Sequence, residues 1–248
     1  MSEPFVHEIL LDRERVPSFE RYPFSLSAVR HLDRLPLHPA VTFFIGENGA
    51  GKSTLLEAVA VAWGFNPEGG SRNFRFDTRV SHSPLHEYLR LAKSTRRART
   101  GYFLRAESFF NVATEIEKLD EEKANAPRIG PAYGKRALHE QSHGESFMAL
   151  LNQRFFADGF YILDEPEAAL SPSRQMAVLS RLHDLTGQGC QFIIATHSPI
   201  IMAYPQARIY QLSPEGIAKT AYQDTEHYAV TRAFLQNPGK MLDVLLEE

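Results

Sequence analysis

The run "AVTFFIGENGAGKSTLLEAVAVAWG", residues 40–64, limits what this chain can become more than any other stretch. A short apolar run closes on a glycine and gives way to a helical pattern, so a strand buried on both faces must lead into a helix. The turn between them, "GENGAGKST" at 46–54, matches Gly-x4-Gly-Lys-Ser/Thr in full. Glycines at 46, 49 and 51 let backbone N–H groups turn inward around an anion, in conformations that a Cβ would hinder. The helix beginning near Lys52 aims the positive end of its dipole at the same anion. Gly46, Glu47, Asn48, Gly49, Ala50, Gly51, Lys52, Ser53 and Thr54 therefore form a cradle for nucleotide phosphates. Lys52 is expected to reach the β- and γ-phosphates, and Ser53 to offer its hydroxyl to Mg2+. Beyond the loop, Leu55, Leu56, Val59 and Trp63 share one side of the helix, and Gly64 stands just past its end.

The remaining pattern repeats this alternation. "FVHEILL", "GYFLRAE", "GFYILDE", "CQFIIATH" and "ARIYQL" read as strands. "SFFNVATEIEKLDEEKA", "GESFMALLNQRFFA" and "SPSRQMAVLSRLHDLTGQG" read as helices, the last from a Ser-Pro start. The C-terminal "HYAVTRAFLQNPGKMLDVLLEE" reads as two helical pieces broken at Pro238. Strands alternating with helices argue for an α/β fold, a mostly parallel sheet flanked by helices. The expected organisation is one domain over 1–248, with a core at about 1–79 and 158–248. An N-terminal antiparallel strand layer and a short helical lobe at about 80–157 complete it.

"FYILDE" places Asp164 and Glu165 at the C-terminal end of an apolar strand, where ligands bind in parallel α/β sheets. Asp164 is expected to hold the Mg2+ shell and Glu165 to orient, or take a proton from, the water that attacks a γ-phosphate. "FIIATHSP" ends another strand with His197 at the same rim, within reach of that phosphate. The polar run "QSHGES" at 141–146 precedes a helix, with Ser142 or Ser146 as its cap and Gly144 relaxing the turn.

Taken in order, these segments resemble the ATP-binding-cassette superfamily. "GENGAGKST" is similar to its phosphate loop, "SHGES" to its signature motif, "YILDE" to its acidic strand, "EAALS" to its D-loop and "THS" to its switch histidine. More narrowly, "SRNFRF", "FLRAESFF", "LHEQSHGESF" and "LDEPEAALSP" resemble small stand-alone bacterial ATPases of the AAA family, related to RecF/SMC-like heads. The resemblance implies a P-loop fold of the cassette type and Mg2+-dependent ATP hydrolysis in which Lys52, Glu165 and His197 act. It implies that ATP is sandwiched in a head-to-tail homodimer, with Ser142, Gly144 and Glu145 serving the partner's site. It also implies Ser53, Asp164 and Glu107 as metal ligands, Glu107 standing where relatives carry a glutamine. The signature departs from the leucine-serine-glycine-glycine pattern, so the energising subunit of a transporter ranks behind a DNA-maintenance or defence factor that uses ATP as a clamp.

Composition excludes several classes. A formal net charge of −3 gives no global attraction to nucleic acid or membrane surface. The single Cys190 cannot form an intramolecular disulfide, and no apolar run approaches a membrane span, so a cytoplasmic protein is expected. "KSTRRART" at 93–100 is the only candidate for nucleic-acid phosphates, but such runs without interleaved aromatics are more often solvated faces. His82 and His86 lack a third ligand at metal spacing. Tyr22 and Phe24 are the candidates to stack on adenine.

Overall fold

The strand ahead of the glycine loop becomes β3, and its surroundings explain its composition. In the computed structural model, which describes residues 2–71, 83–105 and 143–246, β3 (Val41–Gly46) has all six residues buried. It lies fourth in a six-stranded sheet of order β5-β6-β7-β3-β8-β9. The other members are β5 (Thr100–Arg105), β6 (Gly159–Asp164), β7 (Gln191–Ala195), β8 (Arg208–Ser213) and β9 (Gly216–Thr220). The first five run parallel, and β9 turns back antiparallel on β8. β6 and β7 are buried along their whole length, as strands covered on both faces must be.

Alternation along β3 divides the core. Phe44 faces one cluster with Leu55, Leu56, Val59 and Trp63 of α2 (Lys52–Trp63), which also holds Ala28 and Val29 of the short α1 (Ser27–Arg30). Val41, Phe43 and Ile45 face another, filled by α3 (His143–Arg154) and α4 (Pro172–Gly187). α4 buries Val178, Leu182 and Leu185, one face of its turns. Fully burying side chains of this size contributes about 1.5–3 kcal/mol each, so the two faces of β3 hold the layers together. α2 ends at Gly64, whose φ of 106° only glycine adopts cheaply and whose N–H returns to Ala60 and Val61.

The expected N-terminal layer is a three-stranded antiparallel sheet, β2-β1-β4, formed by β1 (Val6–Leu11), β2 (Arg34–Pro36) and β4 (Leu89–Lys93). It packs over α2 in the first cluster through Val6, Ile9 and Leu89. Gln191, at the start of β7, joins the two sheets: its carbonyl accepts from Phe5 N (2.8 Å) and Val6 N (3.0 Å), and its amide donates to Val6 O (2.8 Å) and His38 O (3.1 Å).

One boundary needs correction. The segment 80–157, expected to be a helical lobe, contributes β4 to the small sheet and β5 to the edge of the large one. Tyr102, Phe103 and Leu104 are buried there, so β5 belongs to the core, and α3 is the described helix of that lobe. The helix expected at 108–124 and the loop after it lie outside the described residues. At the C-terminus, α5 (Glu226–Gln236) and α6 (Pro238–Leu246) break where expected. Among the described residues no helix is long and apolar enough to cross a membrane.

Candidate active site

Gly46, Gly49 and Gly51 have φ of 143°, 82° and 93°, values that a side chain would strain. At Gly46 a Cβ would also stand 2.3 Å from Leu212 O, so the loop passes β8 too closely for any other residue. Lys52 is buried, and its Nζ donates to Gly46 O (2.8 Å) and Glu47 O (2.9 Å). Burial pushes its ammonium below the ordinary lysine value, opposed by the charges of Glu165, Asp164 and Glu167. The loop borders a cavity of about 500 Å³ that Glu47, Asn48, Gly49 and Ala50 line together with Ser213 and His227.

Ser53 Oγ donates to Asp164 Oδ1 at 3.1 Å, which brings the phosphate loop to the end of the acidic strand. A hydroxyl and a carboxylate oxygen side by side are a donor set that Mg2+ accepts, the other positions going to water and phosphate. β5 pairs with β6 so that Arg105 stands opposite Asp164, with Nε 3.9 Å from Oδ2, while its Nη1 donates to Glu57 Oε2 at 2.7 Å. Among the described residues no three His, Cys, Asp or Glu side chains are grouped to hold a metal by themselves.

Glu165 follows with φ 52° and ψ 53°, a left-handed conformation costly for a residue with a Cβ and typical of functional sites. Its N–H reaches Ala195 O at 3.0 Å, tying it to β7. Its Oε1 lies 3.6 Å from His197 Nε2. The backbone N–H of His197 donates to Glu167 Oε1 (2.5 Å), and burial raises the Glu167 carboxyl above the ordinary range. Just beyond, Ser198 Oγ donates to Gln175 Oε1 of α4 (2.5 Å), which fixes the turn that carries His197. Burial, then the Lys52 charge, push His197 below the ordinary histidine value, against Glu165.

The structure thus brings Lys52, Ser53, Asp164, Glu165 and His197 to one rim. Gly144 and Glu145 sit at the start of α3 against their own chain. A Cβ at Gly144 would meet Ala169 O at 2.8 Å, and Glu145 lies 3.7 Å from Arg174. Ser142, Glu107 and His82 lie outside the described residues. Phe24 is a core residue, edge-on to Tyr88 at 4.9 Å, so it cannot stack on a nucleotide. Tyr22 stays exposed, with its hydroxyl 3.5 Å from Thr54 Oγ1. Arg96 of the basic run is also part of the fold: it donates to Asp158 Oδ1 (2.5 Å), Gly189 O (2.8 Å) and Glu3 O (3.0 Å) and lies over the Phe5 ring.

Two residues at the rim were missed. Arg105 lies within "FLRAESFF" but was given no role there, and strand register is what sets it against Asp164. His227, near the start of α5, places Nε2 3.2 Å from His197 Nδ1. The signal that could have found it is its place two residues after Thr225, whose hydroxyl caps α5 by accepting from Tyr228 N at 3.3 Å.

Glycine loop, acidic strand and parallel sheet define a P-loop nucleoside triphosphatase fold. Two family models match the chain: "AAA domain" over residues 24–145, and "AAA domain, putative AbiEii toxin, Type IV TA system" over residues 131–203. A "putative ABC transporter ATP-binding protein" of Methanothermobacter marburgensis is 26% identical over 146 residues, 56% of this chain and 52% of that protein. The chain therefore matches about half the length of this curated relative. Among solved structures, an inward-facing "putative metal-chelate type ABC transporter" aligns with a TM-score of 0.49 at 19% identity, over 80% of each chain. The "SMC head domain from Thermotoga maritima" aligns at 0.46 and 14% identity, over 87% of this chain and 99% of that one. The chain is thus similar to AAA-family domains over two overlapping segments and, more distantly, to an ABC-type ATP-binding protein.

Proposed function

We propose that the chain binds ATP with Mg2+ and hydrolyses it to ADP and phosphate in a site completed by a second copy. The observation that carries this reading is one constellation. Ser53 and Asp164 are joined beneath a glycine loop, with Glu165 and His197 facing each other 3.6 Å apart at its rim. On binding, Lys52 would exchange its two loop carbonyls for β- and γ-phosphate oxygens, a trade that restores a full counter-charge to a buried ammonium. Ser53 and Asp164 would hold Mg2+, which when bound neutralises charge on the phosphates. Glu165 takes the proton of the attacking water as the water oxygen bonds to the γ-phosphorus and the bond to ADP breaks. His197 offers a neutral ring N–H to a γ-phosphate oxygen. The second copy would present Gly144 and Glu145 at the N-terminus of α3, together with Ser142 of the same motif, to that phosphate, where a helix dipole favours an anion.

Glu165→Gln tests the reading. The variant should bind ATP, turn it over at least ~100-fold more slowly, and accumulate an ATP-dependent dimer on sizing, since a positioned base contributes about 10²–10⁴. Hydrolysis at the native rate would remove Glu165 from its role.

A further inference from the structure

We infer that His227 is a positioning residue for His197, donating its Nε2–H to His197 Nδ1 and so holding the His197 Nε2–H toward the γ-phosphate pocket. The inference rests on the reading that His197 faces that phosphate. The facing nitrogens are 3.2 Å apart, a hydrogen-bond distance, and the ring centroids are 5.4 Å apart at 51°. One proton lies between two neutral rings, so the facing nitrogens must be one donor and one acceptor.

The surroundings decide which is which. Glu165 Oε1 lies 3.6 Å from His197 Nε2 and is an acceptor, so a proton on Nε2 is attracted and a lone pair there is repelled. With Nε2 protonated, neutral His197 has a bare Nδ1, and that atom must accept from His227. The opposite arrangement would set a lone pair against the Glu165 carboxylate. Each arrangement leaves one buried ring N–H without a hydrogen bond, at His197 Nε2 or at His227 Nδ1, and at His197 Nε2 the Glu165 carboxylate stands 3.6 Å away to attract it. Other groups facing the pair are Lys52, Glu167 and Glu226. Glu167 Oε1 accepts from the His197 backbone N–H, and its Oε2 makes no hydrogen bond to either ring.

Tertiary anchoring keeps His227 there. Thr225 is fully buried, caps α5 and donates to Tyr222 O at 2.8 Å, so the first turn is fixed. No residue of α5 is buried, yet Glu226, His227, Val230 and Thr231 border the pocket of Asn48, Glu165 and His197. A helix with so little packing gains from a polar contact at its start, and the contact falls on the residue that must donate to phosphate.

The test uses the full chain with 15N-labelled histidine, without nucleotide. His197 Nδ1 should appear as a bare acceptor nitrogen and His227 Nε2 as protonated, the assignment made by the signals lost in His227→Gln. In steady-state ATP hydrolysis, His227→Leu should lower kcat roughly tenfold with KM for ATP within about twofold, the pattern for lost positioning in the transition state. His227→Gln, whose amide can still donate to Nδ1, should keep most of the native kcat. A protonated His197 Nδ1 would overturn the inference, as would a Leu variant at native kcat or a Gln variant as slow as the Leu one. The spectrum is read without turnover, so it decides the point even if the native protein failed to hydrolyse ATP, an outcome that would instead refute the proposed function.

Discussion

Replacing Gln191 with leucine removes the polar joint between the two sheets at nearly constant volume. Its side-chain amide is 1% exposed and makes four hydrogen bonds, to Phe5 N, Val6 N, Val6 O and His38 O. Leucine leaves the two amide donors without partners, in contact with an apolar side chain. A buried donor stripped of its partner costs about 1–3 kcal/mol, so the pair sets an expected loss of about 2–6 kcal/mol, the carbonyls adding less because each keeps a second lone pair. Against a total stability of about 5–15 kcal/mol the change is severe. At roughly 2–4 °C per kcal/mol, the melting temperature should fall by about 4–24 °C. Circular dichroism in thermal and urea unfolding measures this, and hydrogen exchange at Phe5 and Val6 locates it. Gln191→Glu gives a second reading. A carboxylate still accepts from both amides but opposes two carbonyls, so its folded-state pKa lies above the unfolded one. The folded state then holds the proton more tightly, and stability falls as pH rises from the unfolded value through the folded one. A Gln191→Leu protein within about 1 kcal/mol of native would refute the argument that this amide joins the layers.

Glu167→Gln should stabilise the protein at neutral pH and change little in acid. Burial raises the Glu167 carboxyl in the folded state, so the native chain loses stability as pH rises above the unfolded glutamate value, whereas glutamine still accepts from His197 N. Urea unfolding at two pH values checks it, and equal differences at both would contradict it. Arg96→Ala should cost about 1–2 kcal/mol, discounted for its partly exposed partner Asp158, because three acceptors and the Phe5 ring lose the guanidinium. A native urea midpoint combined with lost DNA affinity would place Arg96 in a nucleic-acid surface instead.

The phosphate loop could be read in the sequence because its backbone demands glycine where φ is positive, at 46, 49 and 51. β3, β6 and β7 were readable for a related reason: strands covered on both faces leave unbroken apolar runs. The edges were not. Among the described residues β2 pairs only with β1, and it contains Pro36, while β9 is mostly polar, so neither carries a clear strand pattern. β4 sits in a polar stretch, and its pairing with β1 spans about eighty residues that no local signal bridges. His227 and Arg105 reach the site through tertiary packing and strand register, and sequence spacing encodes neither.

The shared site is the central claim, and mixing two inactive variants tests it most directly. Lys52→Ala disables the phosphate loop and Ser142→Arg the signature, each alone abolishing turnover. In a head-to-tail dimer each site takes Lys52 from one chain and Ser142 and Gly144 from the other. A mixed dimer then has one site broken twice and one wholly native. With random pairing about half the dimers are mixed, so about a quarter of the native ATPase activity should return if sites fire independently. No recovery, with sizing data showing that mixed dimers formed, would contradict independent sites completed in trans.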